Sequence, residues 1–160
     1  MNRLFATGTV TIDAAPDRVF EVISDPAVMA RLGEEIVSAE WVGGAARAAL
    51  GARFAGHNRK GRRRWTTLCT VVELEPGRRF VYDVHAPPPL GVPIARWGYE
   101  IEPAEDGACT VTEKNWARVP VWFVPFAMLI TGTIHRPRLN SANITTTLDR
   151  LKAHVEDGAA

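Results

Sequence analysis

Residues 71–85 read VVELEPGRRFVYDVH, two β-type runs joined at Glu75-Pro76-Gly77-Arg78. Proline followed by glycine is the order a tight turn asks for: proline presets its own φ, and glycine tolerates a positive one. Beyond the turn, Phe80, Tyr82 and Val84 fall on one parity and Val81, Asp83 and His85 on the other. Side chains alternate faces along a strand, so one face of this hairpin is large and apolar. That pattern belongs to an antiparallel sheet with one covered face.

The same texture continues outward in both directions. Upstream, Arg64–Glu75 is the first arm of the hairpin. Gly51–Arg59 precedes it across the tip Lys60-Gly61-Arg62-Arg63, and Ile36–Val42 lies before the loop Gly43-Gly44. Downstream, Pro87-Pro88-Pro89 with Gly91 and Pro93 forms a stiff loop. Ile94–Glu102 is the next strand, Glu105-Asp106-Gly107 a turn, and Ala108–Arg118 the last strand. Trp97, Tyr99 and Ile101 share one parity, and Cys109 and Val111 oppose Thr110, Thr112 and Lys114. Near the N-terminus, residues 5–12 add a first strand, Phe5 to Ile12, making seven.

Helical spacing occurs in three places. Pro16 suits a first helical position, and Val19, Phe20 and Ile23 give a short helix over about 16–24. Asp25-Pro26 opens a second over 26–31, which Gly33 ends. Arg138–Val155, with Pro137 at its start, is a long helix whose Ile144, Leu148, Leu151 and Val155 lie on one face. The expected architecture is therefore α+β. A seven-stranded curved antiparallel sheet surrounds a long C-terminal helix, with two short helices after the first strand, in one domain over residues 1–160. One helix stripe cannot fill the hollow of so wide a curved sheet, so side chain, water or ligand must take up the remainder.

Composition narrows the function classes. The 160 residues are 46% hydrophobic and 23% charged, with net charge +1, so no global field steers the protein toward nucleic acid or membrane. Cys69 and Cys109 sit singly in apolar runs and read as reduced core thiols, although spacing alone leaves a disulfide between them open. The opening MNRLFATGTV lacks the apolar run and cleavage site of a signal peptide, and a cytoplasmic location is the default expectation. There is no glycine-rich phosphate loop and no cluster of metal ligands, so neither metal nor cofactor is expected.

Phe54, Trp65, Tyr82, Trp97, Tyr99 and Trp116 are the candidate walls of a ligand cavity, offering flat rings with polar tips, or else plain core. Glu113 shares the parity of Cys109 and Val111. Facing inward, its pKa would rise and it could serve as a general acid or base; facing an edge, it would pair with an arginine. Asn58, on the parity of Phe54, adds a directional hydrogen bond or belongs to the nearby turn. His57 and His85 fall on the polar parity, His154 lies apart, and His135 is the histidine best placed for catalysis near a cavity mouth. Val121–Ile130 is almost wholly apolar but, at ten residues, far short of the roughly 20 a bilayer span needs. It reads as a lid carrying Trp122, Phe123 and Phe126 over the cavity, as a flap dipping into a membrane surface, or as a homodimer contact. Arg59–Arg64 is either a solvated hairpin tip or a contact for anionic headgroups. It is not interleaved with aromatics, so nucleic acid is not an expected partner.

The succession Ile12-Asp13-Ala14-Ala15-Pro16, Val19-Phe20, Ser24-Asp25-Pro26, residues 51–56, residues 72–80, residues 99–103, Val111-Thr112-Glu113 and residues 148–152 resembles the START/birch-pollen-allergen superfamily. Within it, the likeness is to bacterial polyketide cyclase/dehydrase-like (SRPBCC) proteins. The resemblance implies a helix-grip fold around an internal cavity. It also implies a role among ligand binders, aromatase/cyclases and lipid carriers. These fingerprint residues are helix starts, turns and strand edges, so the resemblance transfers no catalytic set. Binding of a small hydrophobic or aromatic ligand is the leading expectation. The alternatives are an aromatase/cyclase acting on a poly-β-keto chain and a lipid carrier at a membrane surface.

Overall fold

The alternating runs pair into one antiparallel sheet in the computed structural model, which describes residues 3–132 and 136–158. The strands are β1 (Arg3–Ile12), β2 (Ile36–Val42), β3 (Arg53–Lys60), β4 (Arg63–Glu75), β5 (Arg79–His85), β6 (Pro93–Pro103) and β7 (Cys109–Ala117). Their order in the sheet is β1-β7-β6-β5-β4-β3-β2, so β2 to β7 form a meander and β1 closes against the last strand. Two short helices, α1 (Pro16–Ile23) and α2 (Pro26–Leu32), follow β1. Proline opens both, and the Asp25 carboxylate caps α2 by accepting from the Ala27 amide at 2.9 Å. The chain ends in α4 (Arg136–Asp157). The seven strands, the two short helices and the long helix stand where the periodicity puts them. The β3–β4 tip is tighter than expected: Lys60 and Arg63 pair, leaving only Gly61 and Arg62 in the turn.

The concave face holds the core. Ile144, Leu148, Leu151 and Val155 of α4 are buried against Ile12, Val19, Ile23, Phe80, Ile101 and Val111. α4 can lie this close to β1 because position 8 is glycine: a Cβ there would come within 2.6 Å of Ile144. A second buried cluster, Ala30, Ala39, Phe54, Cys69 and Val84, lies under β2 to β5. Because α4 runs along β1, it leaves the concavity of the middle strands open between the two clusters. Both cysteines are buried free thiols, and burial pushes the Cys69 thiol up to about 12.

The convex face is laced with charge. Arg79 bridges Glu73 and Glu100, both at 3.2 Å, and Lys114 reaches Glu100 at 2.6 Å. Asp83, on the outward parity, is only 7% exposed because two arginines fold over it. Arg96 donates to both its oxygens, at 2.6 and 3.0 Å, and Arg118 donates to Oδ2. Burial opposes the charge, yet these two guanidiniums hold the carboxyl below its ordinary range. Asp83→Ala leaves two half-covered guanidiniums without a counter-ion and is expected to cost on the order of 2–3 kcal/mol. Urea unfolding at neutral pH checks this. Acidification should erode the same contribution in the parent protein, since a depressed carboxyl stabilises only while ionised.

Trp116 stands on this convex face, which corrects its assignment as a cavity wall. It alternates against Glu113 and Asn115 and packs over Gly98 beside Val81; a Cβ at position 98 would lie 3.1 Å from the indole. The glycine is the dent that the indole fills.

Candidate functional site

Register builds the site, because residues paired across a sheet share a face. One inward row runs Trp41, Phe54, Cys69, Val84, Ala95 and Ala117. The next runs Val71, Tyr82, Trp97, Asn115 and Ala6. A third runs Leu74, Phe80, Tyr99, Glu113 and Gly8. The first row ends in two alanines, and α4 does not reach it, so a hollow is left. That hollow is a cavity of about 610 Å³, within the range of small-molecule sites.

Its aromatic wall brings together Phe54, Trp65, Tyr82, Trp97 and Tyr99. Edge-to-face contacts fix the rings: Trp41 to Phe54 at 5.7 Å and Phe54 to Tyr82 at 5.1 Å between centroids. Asn58 lines the outer part and donates to the Gly56 carbonyl at 3.1 Å and to the Thr67 hydroxyl at 3.3 Å.

At the deep end, Glu113 faces the cavity and is 3% exposed. The Tyr99 hydroxyl donates to its Oε1 at 2.8 Å, while Oε2 has no hydrogen-bond partner among the described residues. Burial raises the carboxyl to about 8, and the tyrosine bond only partly offsets that. The group is therefore mostly a neutral acid at pH 7. Tyr82 and Tyr99 are both pushed well above the ordinary phenol range by burial, so they remain protonated donors.

Beside the acid lies a polar pair that the sequence reading missed. Asn140 of α4 donates to the Asn115 side-chain oxygen at 2.7 Å, and Asn115 donates to the Arg96 carbonyl at 3.3 Å. Both are buried and line the cavity, as does Thr147. The available signal was the helical stripe itself, since Asn140 sits four residues before Ile144. Phe5 also lines the cavity; a register shift between Leu4 and Ala6 turns it inward against simple alternation.

The apolar segment forms a roof. A 3₁₀ turn over Val121–Phe123 leads into α3 (Val124–Thr131). Phe123, Val124, Ala127 and Met128 face the cavity. Phe126, expected as part of the cover, is instead exposed on the roof's outer side and stacks on Phe123 at 6.0 Å. Gly132 ends α3 with φ +66, and its amide donates to the Met128 carbonyl at 2.8 Å. Of the histidines, His57 reaches Thr66 at 3.2 Å and Glu40 at 3.5 Å on the polar face. His135 lies outside the described residues. Among the described residues, no three His, Cys, Asp or Glu side chains stand together to hold a metal.

A sequence model of the family described as polyketide cyclase / dehydrase and lipid transport matches residues 5–156. No curated protein matches the chain. Among solved structures, the di-domain ARO/CYC StfQ from the steffimycin biosynthetic pathway is similar with a TM-score of 0.70 and 18% identity, over 96% of this chain and 50% of that one. TTHA0849 from Thermus thermophilus is similar with a TM-score of 0.67 and 18% identity, over 97% and 99%. A protein from Nitrosospira multiformis has a TM-score of 0.60 and 18% identity, over 96% and 97%. At these identities the likeness is one of fold.

Proposed function

Because the chain belongs to the polyketide cyclase/dehydrase and lipid transport family, we propose that its cavity binds one small, neutral, largely apolar molecule carrying a single oxygen function. The observation that carries this reading is one fully buried acid, Glu113, in a largely apolar, aromatic-walled hollow of about 610 Å³ whose other two acids, Glu34 and Glu35, are less buried. Aromatic walls supply affinity through buried area, roughly 25 cal/mol per Å². A neutral Glu113 offers its proton from Oε2, and a carbonyl or hydroxyl on the ligand would complete that bond. An anionic headgroup is disfavoured at that depth, because burial penalises its charge as it does that of Glu113 and no cation among the described residues lines the cavity. N-phenyl-1-naphthylamine, a neutral fluorescent probe, should bind saturably near one equivalent. Native mass spectrometry of the purified protein should carry an adduct of small-molecule mass. Absence of both would remove the proposal.

The free Oε2 of Glu113 also favours a second reading, an aromatase/cyclase-type enzyme. A bound poly-β-keto chain would be held folded by the aromatic walls. Glu113 would give a proton to a departing hydroxyl as water leaves, and its carboxylate would take one from the adjacent carbon. Glu113→Gln keeps the shape and removes the transferable proton. Turnover of a poly-β-keto substrate that survives this change would exclude the residue from the chemistry.

A further inference from the structure

We propose that the outer face of α3 and the arginine-rich β3–β4 tip form one surface that docks on an anionic lipid bilayer. α3 reads VPFAMLIT, apolar on every side, and the rest of the chain fully buries none of its residues. A helix apolar all round is normally buried all round or set in a non-aqueous medium. Its inner face roofs the cavity. With the turn before it, its outer face leaves Val121 86%, Trp122 64%, Phe126 57% and Leu129 71% exposed. Scattered exposed apolar residues need no explanation, but four large ones within nine consecutive positions do.

Charge says what covers them. Segments 53–72 and 119–148 hold eight of the nineteen basic residues and none of the eighteen acidic ones. The fold joins the two segments, since α3 packs on β4. The Arg63 guanidinium lies against Gly132 at the carbonyl end of α3, where any side chain would collide with it. A cation there also complements the helix dipole. Arg63 is exposed there, and Arg62 and Arg64, its neighbours at the same hairpin tip, are exposed as well. Two acids do line the rim, Glu34 and Glu35 on the connection from α2 to β2, and Glu34 is held by Arg150 at 2.5 Å.

A second copy of this chain is a poor occupant. A two-fold contact sets the same patch against itself and would press one arginine cluster onto the other. A bilayer offers acyl chains to the apolar residues and negative headgroups to the arginines, and tryptophan favours that boundary. α3 would lie in the interface, since no helix among the described residues is long and apolar enough to cross. None of this requires the cavity to be occupied.

Flotation with vesicles tests the surface. The protein should float with equal parts phosphatidylcholine and phosphatidylglycerol at low salt, and should stay behind with phosphatidylcholine alone or at high salt. Arg62→Gln with Arg64→Gln should weaken partitioning about 25-fold, roughly fivefold per arginine. Trp122→Ser with Leu129→Ser should abolish flotation while melting and naphthylamine binding persist, because none of these four side chains lines the cavity. Failure of the parent protein to float with phosphatidylglycerol would overturn the proposal. Flotation unchanged in both double variants would overturn it too. So would a dimer in sedimentation that the Trp122/Leu129 change dissolves without any lipid binding, which would give the face to a second copy.

Discussion

Glu113→Gln is expected to stabilise the protein above about pH 8 and to leave it nearly unchanged below about pH 4.5. The carboxyl titrates near 4.5 when the chain is unfolded and near 8 when folded, because folding strips it of water. Between those values the native state holds a proton that the unfolded state has released. Stability therefore falls as pH rises through the window, by about 1.4 kcal/mol per pH unit for one proton. The full gap corresponds to a loss on the order of 3–5 kcal/mol at alkaline pH. Glutamine has no charge to bury and keeps an oxygen for the Tyr99 hydroxyl, so the variant should lack this slope. Urea unfolding from acid to alkaline pH measures both curves. Parallel curves would mean that Glu113 is hydrated in the native state and is no neutral donor.

Ala95→Trp should weaken ligand binding on the order of 100-fold without unfolding the domain. Ala95 lines the hollow between Val84 and Ala117, and its small side chain leaves space that an indole would take. The intruding ring takes the place of ligand atoms. Losing burial of about four carbons costs a ligand about 3 kcal/mol, a drop in probe affinity on the order of 100-fold. Melting should hold or rise slightly, as filling a void usually stabilises. Full probe affinity in this variant would place the ligand somewhere other than the cavity.

Much of this was legible in sequence, and the reason is period two. Turn chemistry at Pro76-Gly77 marks where one strand ends, and the shared parities of Phe80 with Tyr82 and of Trp97 with Tyr99 then say which side chains lie together, while Glu113 was left open between the cavity and an edge-facing arginine pair. The same rule, applied to Trp116, puts it on the convex face. Its place among the expected cavity walls followed residue type instead, and Gly98 was the hint that an indole could lie flat on that side. Phe5 escaped because a bulge breaks alternation, and a bulge leaves no mark in the local pattern. The Asn115–Asn140 bond joins residues 25 apart, and their meeting depends on how α4 leans across β7. That lean, and hence the size of the void, is a property of packing between distant elements. Phe126 and Phe123 are three residues apart in an all-apolar segment, so periodicity alone had no way to say which one faces in.

The seam between β1 and β7 also has a consequence in time. Arg3–Ile12 leaves the ribosome about a hundred residues ahead of its hydrogen-bonding partner, Cys109–Ala117. At translation rates of about 5–20 residues per second, the opening strand waits about 5–20 seconds with its edge bare. During that interval the nascent chain can complete the pairs from β2 to β6 but neither pair that needs β7, and α4, which packs on β1, has not yet been made. Any fragment stopped before residue 109 is therefore left with a sheet open at one side and a greasy concavity facing water, the species a holdase chaperone would be expected to retain.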